Sequence, residues 1–273
     1  MPEGPEIRIA ADKIAKAIAF KPIKEIFFAF EHLKPYEDIL VKQLVTGVDT
    51  KGKGMLIRFD NSLSIYSHNQ LYGKWEIRKA YNYPETKRQL RLAIHNEKKS
   101  ALLYSASDIE VLDPDAIATH PFLSRLGLDV LDRNTTTKKI EARLQDKSFH
   151  RRRFTSLFLD QRFLAGLGNY LRSEILFVAQ VHPTLRPIDC NSEQISALAQ
   201  ASLKVPRQSY RTKGITNDLT IVQQLKKQGY KRKDYRHWVF GREERPCYLC
   251  NSSIIKNISG GRRYYFCPDC QQI

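Results

Sequence analysis

Four of the five cysteines form two Cys-x-x-Cys pairs near the end of the chain: Cys247 with Cys250, and Cys267 with Cys270. Sixteen residues separate the pairs, a spacing typical of four thiolates that bind one zinc ion. The residues between them, Ile254–Ile258 and Tyr264–Phe266, are predicted to form a two-stranded hairpin. Four thiolates complete a tetrahedral shell, so we expect one structural Zn²⁺ that takes no part in catalysis.

A large excess of basic side chains indicates the kind of partner. The 45 Lys and Arg against 29 Asp and Glu give a net charge of +16, which favours a polyanion, most commonly nucleic acid. From Val205 to the end, 14 basic residues face five acidic ones, so this quarter of the chain carries 14 − 5 = +9. Its densest run, Lys226–Lys233, fits either a solvated flank or additional nonspecific affinity for DNA.

The composition also restricts where the protein works. No apolar run reaches the roughly 18 to 20 residues of a membrane span. The beginning of the chain does not resemble a secretory or mitochondrial presequence. Tight cysteine pairs are more typical of metal-binding thiols in a reducing compartment than of a disulfide framework. We therefore expect an intracellular protein, cytoplasmic or associated with the nucleoid, with no membrane partner.

The first part of the chain predicts a helix followed by an antiparallel β-sandwich. Apolar residues follow helical spacing from Glu6 to Phe20. Short period-two segments separated by turn residues come next, as expected of sandwich strands. These segments are Ile23–Phe30, Met55–Phe59, Leu63–Ser67, Trp75–Arg78, Leu90–His95 and Ala101–Tyr104.

Helical periods replace the strand pattern beyond Asp113-Pro114. The predicted helices are Thr137–Leu144, Arg153–Leu159, Tyr170–Val178 and Glu193–Leu203. The fold class is therefore α+β. We place an N-terminal domain at 1–114, a linker at 115–135, a helical domain at 136–240 and a zinc finger at 241–273.

The amino terminus offers a nucleophile. If Met1 is removed, the chain begins with the secondary amine of Pro2. An α-amino group titrates near 8, so about a third of it is neutral at about pH 7.5, against about a thousandth of a free lysine. A neutral amine can attack the anomeric carbon of a sugar and form an iminium, and Glu3 stands beside it as an acid or base. Taken alone, Pro2 and Glu3 fit the ordinary start of a helix better than a catalytic site.

Several motifs together resemble the formamidopyrimidine-DNA glycosylase/endonuclease VIII family. The likeness runs through nearly the whole chain in the family's order. Within the family it is greatest to the endonuclease VIII branch, because the loop Ser67–Gly73 resembles that branch's duplex-probing loop and lacks the methionine of the purine-directed branch. The motifs are Met1-Pro2-Glu3-Gly4-Pro5-Glu6, Lys51-Gly52-Lys53, Gly166-Leu167-Gly168-Asn169-Tyr170 and the closing Cys-Pro-x-Cys.

The resemblance implies a set of catalytic residues. Pro2 would be the Schiff-base nucleophile, and Glu3 the acid/base that helps open the sugar and expel the base. Lys53 matches the family's catalytic lysine on a hairpin turn; without the family it would be an ordinary solvated lysine. Arg262 matches the finger arginine that binds phosphate, and its high pKa makes it a poor proton donor.

The resemblance also implies residues that contact DNA. Gln70, Leu71 and Tyr72 would enter the duplex where the target nucleotide leaves; the alternative is a hairpin tip packed on its own domain. Asn169 would contact phosphate at a helix–two-turn–helix motif, where exposed amides at a helix start bind anions, or else it is a plain helix cap. Arg125 matches another arginine that contacts DNA, or pairs with a surface acid.

The sequence thus predicts a base-excision-repair glycosylase and abasic-site lyase that acts on damaged double-stranded DNA as a monomer. Oxidised pyrimidines are the expected substrates, and successive β- and δ-eliminations the expected cleavage. Two alternatives stay open: a purine-directed glycosylase for formamidopyrimidines or 8-oxoguanine, and a noncatalytic zinc protein that only binds DNA. The resemblance also places a family glutamate at Glu174, with a role that it leaves open.

Overall fold

The computed structural model describes residues 2–273 and divides the chain into two compact units. The first contains Pro2 and residues 6–125, and the second contains residues 3–5 and 126–273. Within the described residues, no helix has the length and apolar character needed to cross a membrane.

The predicted first helix is confirmed as α1, Gly4–Ile18. Ile7, Ala11, Ile14 and Ile18 are buried on one face, as their helical spacing requires. The helix ends two residues before the predicted limit, where Phe20 takes the left-handed conformation with φ 55°.

Eight strands of the first unit form two antiparallel four-stranded sheets, which confirms the predicted sandwich. In chain order they are β1 (Glu25–Phe28), β2 (Val45–Lys51), β3 (Gly54–Phe59), β4 (Ser64–His68), β5 (Lys74–Lys79), β6 (Leu90–His95), β7 (Lys99–Tyr104) and β8 (Asp108–Leu112). One sheet has the order β1-β6-β7-β5 and the other β2-β3-β4-β8. A short helix α2, Pro35–Leu40, follows β1, and α3, Pro114–Thr119, follows β8.

The core of the first unit lies between the two sheets and α1. Inward-facing residues of both sheets, such as Ile57 and Ile94, form one buried cluster with Ile14 of the helix. β2 and β8 were not predicted as strands. β2 contains Gly47 and several polar residues and buries only Val45 and Val48, so its sequence shows little alternation.

The second unit is mainly helical. Its helices are α4 (Thr137–Gln145), α5 (Phe154–Leu157), α6 (Asn169–Val178), α7 (Ser192–Arg211), α8 (Leu219–Lys227) and α9 (Arg232–Tyr235). A short parallel pair, β9 (Leu128–Asp129) with β10 (Leu164–Ala165), precedes α6. α6 lies at the centre of this unit, with Leu171 and Ile175 buried in the same cluster as residues of α4 and α7.

The four helices predicted for this unit are confirmed, with two differences. α7 continues past Leu203 and keeps Pro206 within it, where the proline ring is buried. α8 and α9 were not predicted; the basic run Lys226–Lys233 covers the end of α8 and the start of α9. Val222 nevertheless packs with Ile215 and Tyr235 in a small separate core, which supplies the burial that holds the two helices.

The chain ends in the predicted hairpin, formed by β11 (Ile255–Ser259) and β12 (Arg262–Phe266). Gly260 and Gly261 turn the chain with positive φ angles of 53° and 72°. Tyr265 and Cys267 share a buried cluster with Phe177 of α6. The proposed linker, residues 115–135, contains most of α3, a short 3₁₀ turn and β9.

Candidate active site and metal centre

The Glu3 carboxylate is bound at the start of α6. Its Oε1 accepts a hydrogen bond from the amide of Tyr170 at 2.9 Å, and its Oε2 accepts one from the amide of Leu171 at 3.2 Å. The first amides of a helix lack partners within the helix and carry partial positive charge, so they stabilise an anion. Only 4% of Glu3 is exposed. The contacts therefore fix the carboxylate in position and favour its ionised form.

The glycines before α6 allow this close approach. A Cβ on Gly168 would lie 2.4 Å from both Cδ and Oε1 of Glu3, so any side chain there would displace the carboxylate. The amide of Gly4 donates to the carbonyl of Gly166 at 2.8 Å, and a Cβ on Gly4 would lie 3.2 Å from that oxygen. The Gly166-Leu167-Gly168 motif is therefore explained by contacts with the beginning of the chain.

Asn169 is the first residue of α6 and does not cap it. Gly168 occupies the N-cap position, and the structure gives it no side-chain cap. Oδ1 of Asn169 is buried and has no hydrogen-bond partner among residues 2–273. The amides that we expected to be exposed for phosphate, those of Tyr170 and Leu171, bind Glu3 instead.

Pro2 belongs to the first unit and is half-buried. Met1 lies outside the described residues. Pro2 is bonded to Glu3, so the fixed carboxylate belongs to the residue next to the candidate nucleophile.

Lys53 is buried, contrary to the solvated alternative. It occupies the tight turn between β2 and β3, where Gly52 has φ 60° and Lys51 pairs with Gly54. Only 9% of Lys53 is exposed. Its ammonium is close enough to affect His68: burial lowers the pKa of His68, Asp108 opposes this, and Lys53 lowers the pKa further. The turn thus holds a positive charge at a defined place in the first unit.

The loop after β4 extends Leu71 and Tyr72 into solvent, with 54% and 67% of each exposed. Gln70 adopts a left-handed conformation with φ 46°, and its amide donates to Nδ1 of His68. Gly73 donates to the carbonyl of Asn69 at 2.7 Å, and a Cβ there would lie 2.6 Å from Asn69 Cα. The loop is therefore a narrow turn with exposed apolar side chains, and the alternative of a tip packed on the domain does not describe it.

Arg125 is exposed at the end of the first unit. It forms no salt bridge with any acidic residue of the described chain, so the ion-pair alternative does not describe it. Its guanidinium can therefore bind an anion from solution.

The four paired cysteines form the metal centre. Their sulfurs all lie within 4.8 Å of one another. Sγ of Cys250 lies 3.3 Å from that of Cys267, and Sγ of Cys247 lies 3.9 Å from that of Cys270. A tetrahedral zinc with bonds of about 2.3 Å requires sulfur separations of about 3.8 Å. The cluster fits a single metal ion with no fifth ligand, as predicted. Cys190 stands apart from it and is half-buried.

Arg262 is the first residue of β12 and is exposed at the tip of the hairpin. The middle of α6 holds this hairpin and the segment that leads into it. Arg172 donates from Nη2 to the carbonyl of Arg263 at 2.8 Å, and Ser173 Oγ accepts from the amide of Tyr265 at 3.2 Å. Arg172 gave no signal in the sequence, because a charged residue in a helical period is ordinarily read as exposed.

Glu174 binds the segment before the finger. Its carboxylate accepts hydrogen bonds from the amides of Trp238, Val239 and Phe240 at 2.8 to 2.9 Å, and from the hydroxyl of Thr216. It is fully buried, and burial raises its pKa while these donors lower it. Glu174 therefore joins α6 to the segment that precedes the finger.

The structure thus groups the site residues into two sets. Glu3, Asn169, Arg262 and the four cysteines belong to the second unit, all around α6 or the finger. The first unit holds the other set, which consists of Pro2, Lys53, Gln70, Leu71, Tyr72 and Arg125.

Comparisons with known proteins identify the family. Residues 1–107 match the formamidopyrimidine-DNA glycosylase N-terminal domain, and residues 126–220 match the formamidopyrimidine-DNA glycosylase H2TH domain. Endonuclease 8 of Escherichia coli (strain K12 / DH10B) is 46% identical over 271 residues, covering 99% of this chain and 100% of the relative. Endonuclease 8 of Pectobacterium carotovorum is 46% identical over 272 residues and covers 100% of both chains.

Solved structures share the fold. A structure of MutM in complex with DNA containing carbocyclic 8-oxo-G has a TM-score of 0.82 at 20% identity, with 100% of both chains covered. A Lactococcus lactis Fpg complex with DNA that contains an abasic site has a TM-score of 0.82 at 19% identity and covers 99% of this chain and 100% of the other. At such identities the likeness establishes the fold alone.

Proposed function

The chain belongs to the formamidopyrimidine-DNA glycosylase family and is a DNA glycosylase and abasic-site lyase, and we propose that it removes oxidised pyrimidines from double-stranded DNA through a Schiff base at Pro2. The single observation that supports this mechanism best is the Glu3 carboxylate, which two amides of α6 hold at the residue next to Pro2. The two hydrogen bonds hold the carboxylate in one place, as a base for the terminal amine requires.

The reaction begins with Pro2 after loss of Met1. The neutral secondary amine attacks C1′ of the flipped nucleotide, and the bond from C1′ to the damaged base breaks. Glu3 enters as a carboxylate, accepts the proton released from the amine and passes it to O4′ as the sugar ring opens. The product is an iminium between the proline nitrogen and C1′.

Elimination follows from the iminium, which acts as an electron sink. Loss of a proton from C2′ expels the 3′-phosphate, and a second elimination breaks the bond between C5′ and its phosphate oxygen. Water then hydrolyses the imine and releases Pro2. We assign Lys53 and Arg262 to the phosphates that flank the sugar, because an ammonium and a guanidinium both stabilise the leaving phosphate oxygens.

The nucleotide must leave the stack before the amine can reach C1′, at a cost of a few kcal/mol. We assign the exposed Leu71 and Tyr72 to the space that the nucleotide vacates, with Gln70 beside them. We assign Arg125 and Asn169 to contacts with the DNA backbone. The partner in this proposal is damaged duplex DNA. The structures of MutM and Lactococcus lactis Fpg that share the fold contain DNA with carbocyclic 8-oxo-G and with an abasic site, respectively.

The metal at the four cysteines is zinc in this proposal. Cys247, Cys250, Cys267 and Cys270 close its shell, so it keeps the hairpin folded and supplies no Lewis acid to the reaction. We further propose that the protein acts as a monomer inside the cell, on the nucleoid.

The mechanism is tested by reductive trapping. Borohydride should join the protein covalently to a duplex that contains thymine glycol, with the adduct mapped to Pro2 by mass spectrometry. A chain whose amino terminus is blocked by a peptide extension should give no adduct, and one with the same peptide at the carboxyl end should react normally. Trapping by the blocked chain would overturn the Schiff base at Pro2.

The substrate class is tested separately. In single-turnover competition between duplexes with thymine glycol and with 8-oxoguanine, we expect the thymine glycol duplex to be processed first. Faster removal of 8-oxoguanine would assign the protein to purine lesions while leaving the mechanism intact.

A further inference from the structure

The basic segment, residues 226–233, carries five cations that remain available to a partner. These are Lys226, Lys227, Lys231, Arg232 and Lys233, and all are exposed. None forms a salt bridge with an acidic side chain anywhere in residues 2–273. Asp234, the acid beside them, is instead paired with Arg245. The segment therefore presents uncompensated positive charge.

The same segment is held in place by its neighbours. Arg232 donates through Nη2 to the carbonyl of Lys213, and the hydroxyl of Tyr248 donates to the carbonyl of Asp234. Val222 and Tyr235 pack together beneath α8 and α9. The cations are thus attached to a folded base next to the finger, so their ordering costs less on binding than that of a flexible tail.

We propose that the basic segment binds the phosphate backbone of duplex DNA. Closely spaced cations that form no salt bridge suit a polyanion whose charges repeat regularly, and they release counterions when they bind. Tyr230, 52% exposed between them, adds a flat apolar surface against the sugars. This inference rests on the proposed function for its partner and extends the contact surface beyond the residues assigned above.

The experiment measures the salt dependence of binding to an undamaged duplex, which requires no chemistry. The variant Lys227→Gln/Lys231→Gln/Lys233→Gln removes three charges but keeps Lys226 and Arg232, which have contacts within the protein. The control, Lys79→Gln/Lys98→Gln/Lys99→Gln, changes the net charge equally on an exposed hairpin of the first unit.

We expect the slope of log affinity against log salt to fall by about 2 to 3 in the first variant, and affinity at about 0.1 M salt to fall roughly 10- to 100-fold. In the control variant, the changes in slope and in affinity should each be less than half of those in the first variant. Equal slopes in both variants would overturn the proposal. It would also be overturned if the first variant kept its affinity for DNA and instead lost binding to an acidic protein. Reductive trapping of the wild-type protein tests the function independently of this result.

Discussion

Two buried glutamates meet α6, and they differ in what surrounds them. Glu3 approaches the start of the helix from outside and binds two of its first amides. Glu174 lies within the helix and binds the segment before the finger through three amides and a hydroxyl. Burial and backbone hydrogen bonds therefore do not distinguish the carboxylate that we propose for catalysis from the one that only joins parts of the fold. The neighbour in the chain does, because only Glu3 adjoins the amine of Pro2.

The largest effect is expected when the charge of Glu3 is removed. Glu3→Gln keeps the shape of the side chain but cannot accept a proton, so base removal should fall about 1,000-fold in single-turnover assays. One of the two α6 amides loses its acceptor, because the amide nitrogen of Gln cannot accept a hydrogen bond, so the melting temperature should also fall modestly. A rate within threefold of the wild type would contradict the assignment of Glu3 as the base.

Removal of Glu174 should instead affect folding. Glu174→Ala leaves three buried amides unpaired, so the free energy of unfolding should fall by about 3 kcal/mol in denaturant titrations. Glu193→Gln, on an exposed glutamate in the first turn of α7, is the control and should change stability by less than about 0.5 kcal/mol. Unchanged stability in Glu174→Ala would remove the contrast between the two carboxylates.

The third prediction concerns Gly168, which gives Glu3 its space. A Cβ there would lie 2.4 Å from the carboxyl carbon, so Gly168→Ala should displace Glu3, reduce base removal by roughly 30-fold and cost about 2 kcal/mol of stability. Gly47→Ala is the matched control, because a Cβ at Gly47 meets nothing within 4 Å. Equal behaviour of the two variants would show that Glu3 does not require this close fit.

The smallest expected effect is a pH dependence of stability caused by His237, which lies near Glu174. Burial and the nearby Arg236 and Arg232 hold the pKa of His237 well below its ordinary value of 6.5, and the ring lies beside Thr216. Below pH 6.5, His237 binds a proton in the unfolded chain but stays neutral in the folded chain. Stability should therefore decrease by about 1 kcal/mol between pH 6.5 and 5.5.

His237→Gln should remove that part of the pH dependence, whatever its effect on stability at neutral pH. The measurement is the free energy of unfolding at several pH values in both proteins. An equally steep loss in His237→Gln would assign the acid sensitivity to other groups.

Much of this architecture could be predicted from the sequence because local patterns determine it. The cysteine spacing predicted the metal cluster, and alternating apolar residues predicted most strands. The contacts of α6 could not be predicted, since Glu3 and Tyr170 are 167 positions apart. Arg172 was missed for the same reason: tertiary contacts decide whether a polar residue in a helix meets solvent or protein.

The place of residues 3–5 in the second unit has a practical consequence for chimaeras between relatives. A crossover at Arg125, where the first unit ends, would pair a carboxylate from one parent with helix amides and glycines from the other. Hybrids of this kind should work only when the opening residues and the Gly166–Leu171 stretch come from the same parent, because those two stretches fit each other at van der Waals distance.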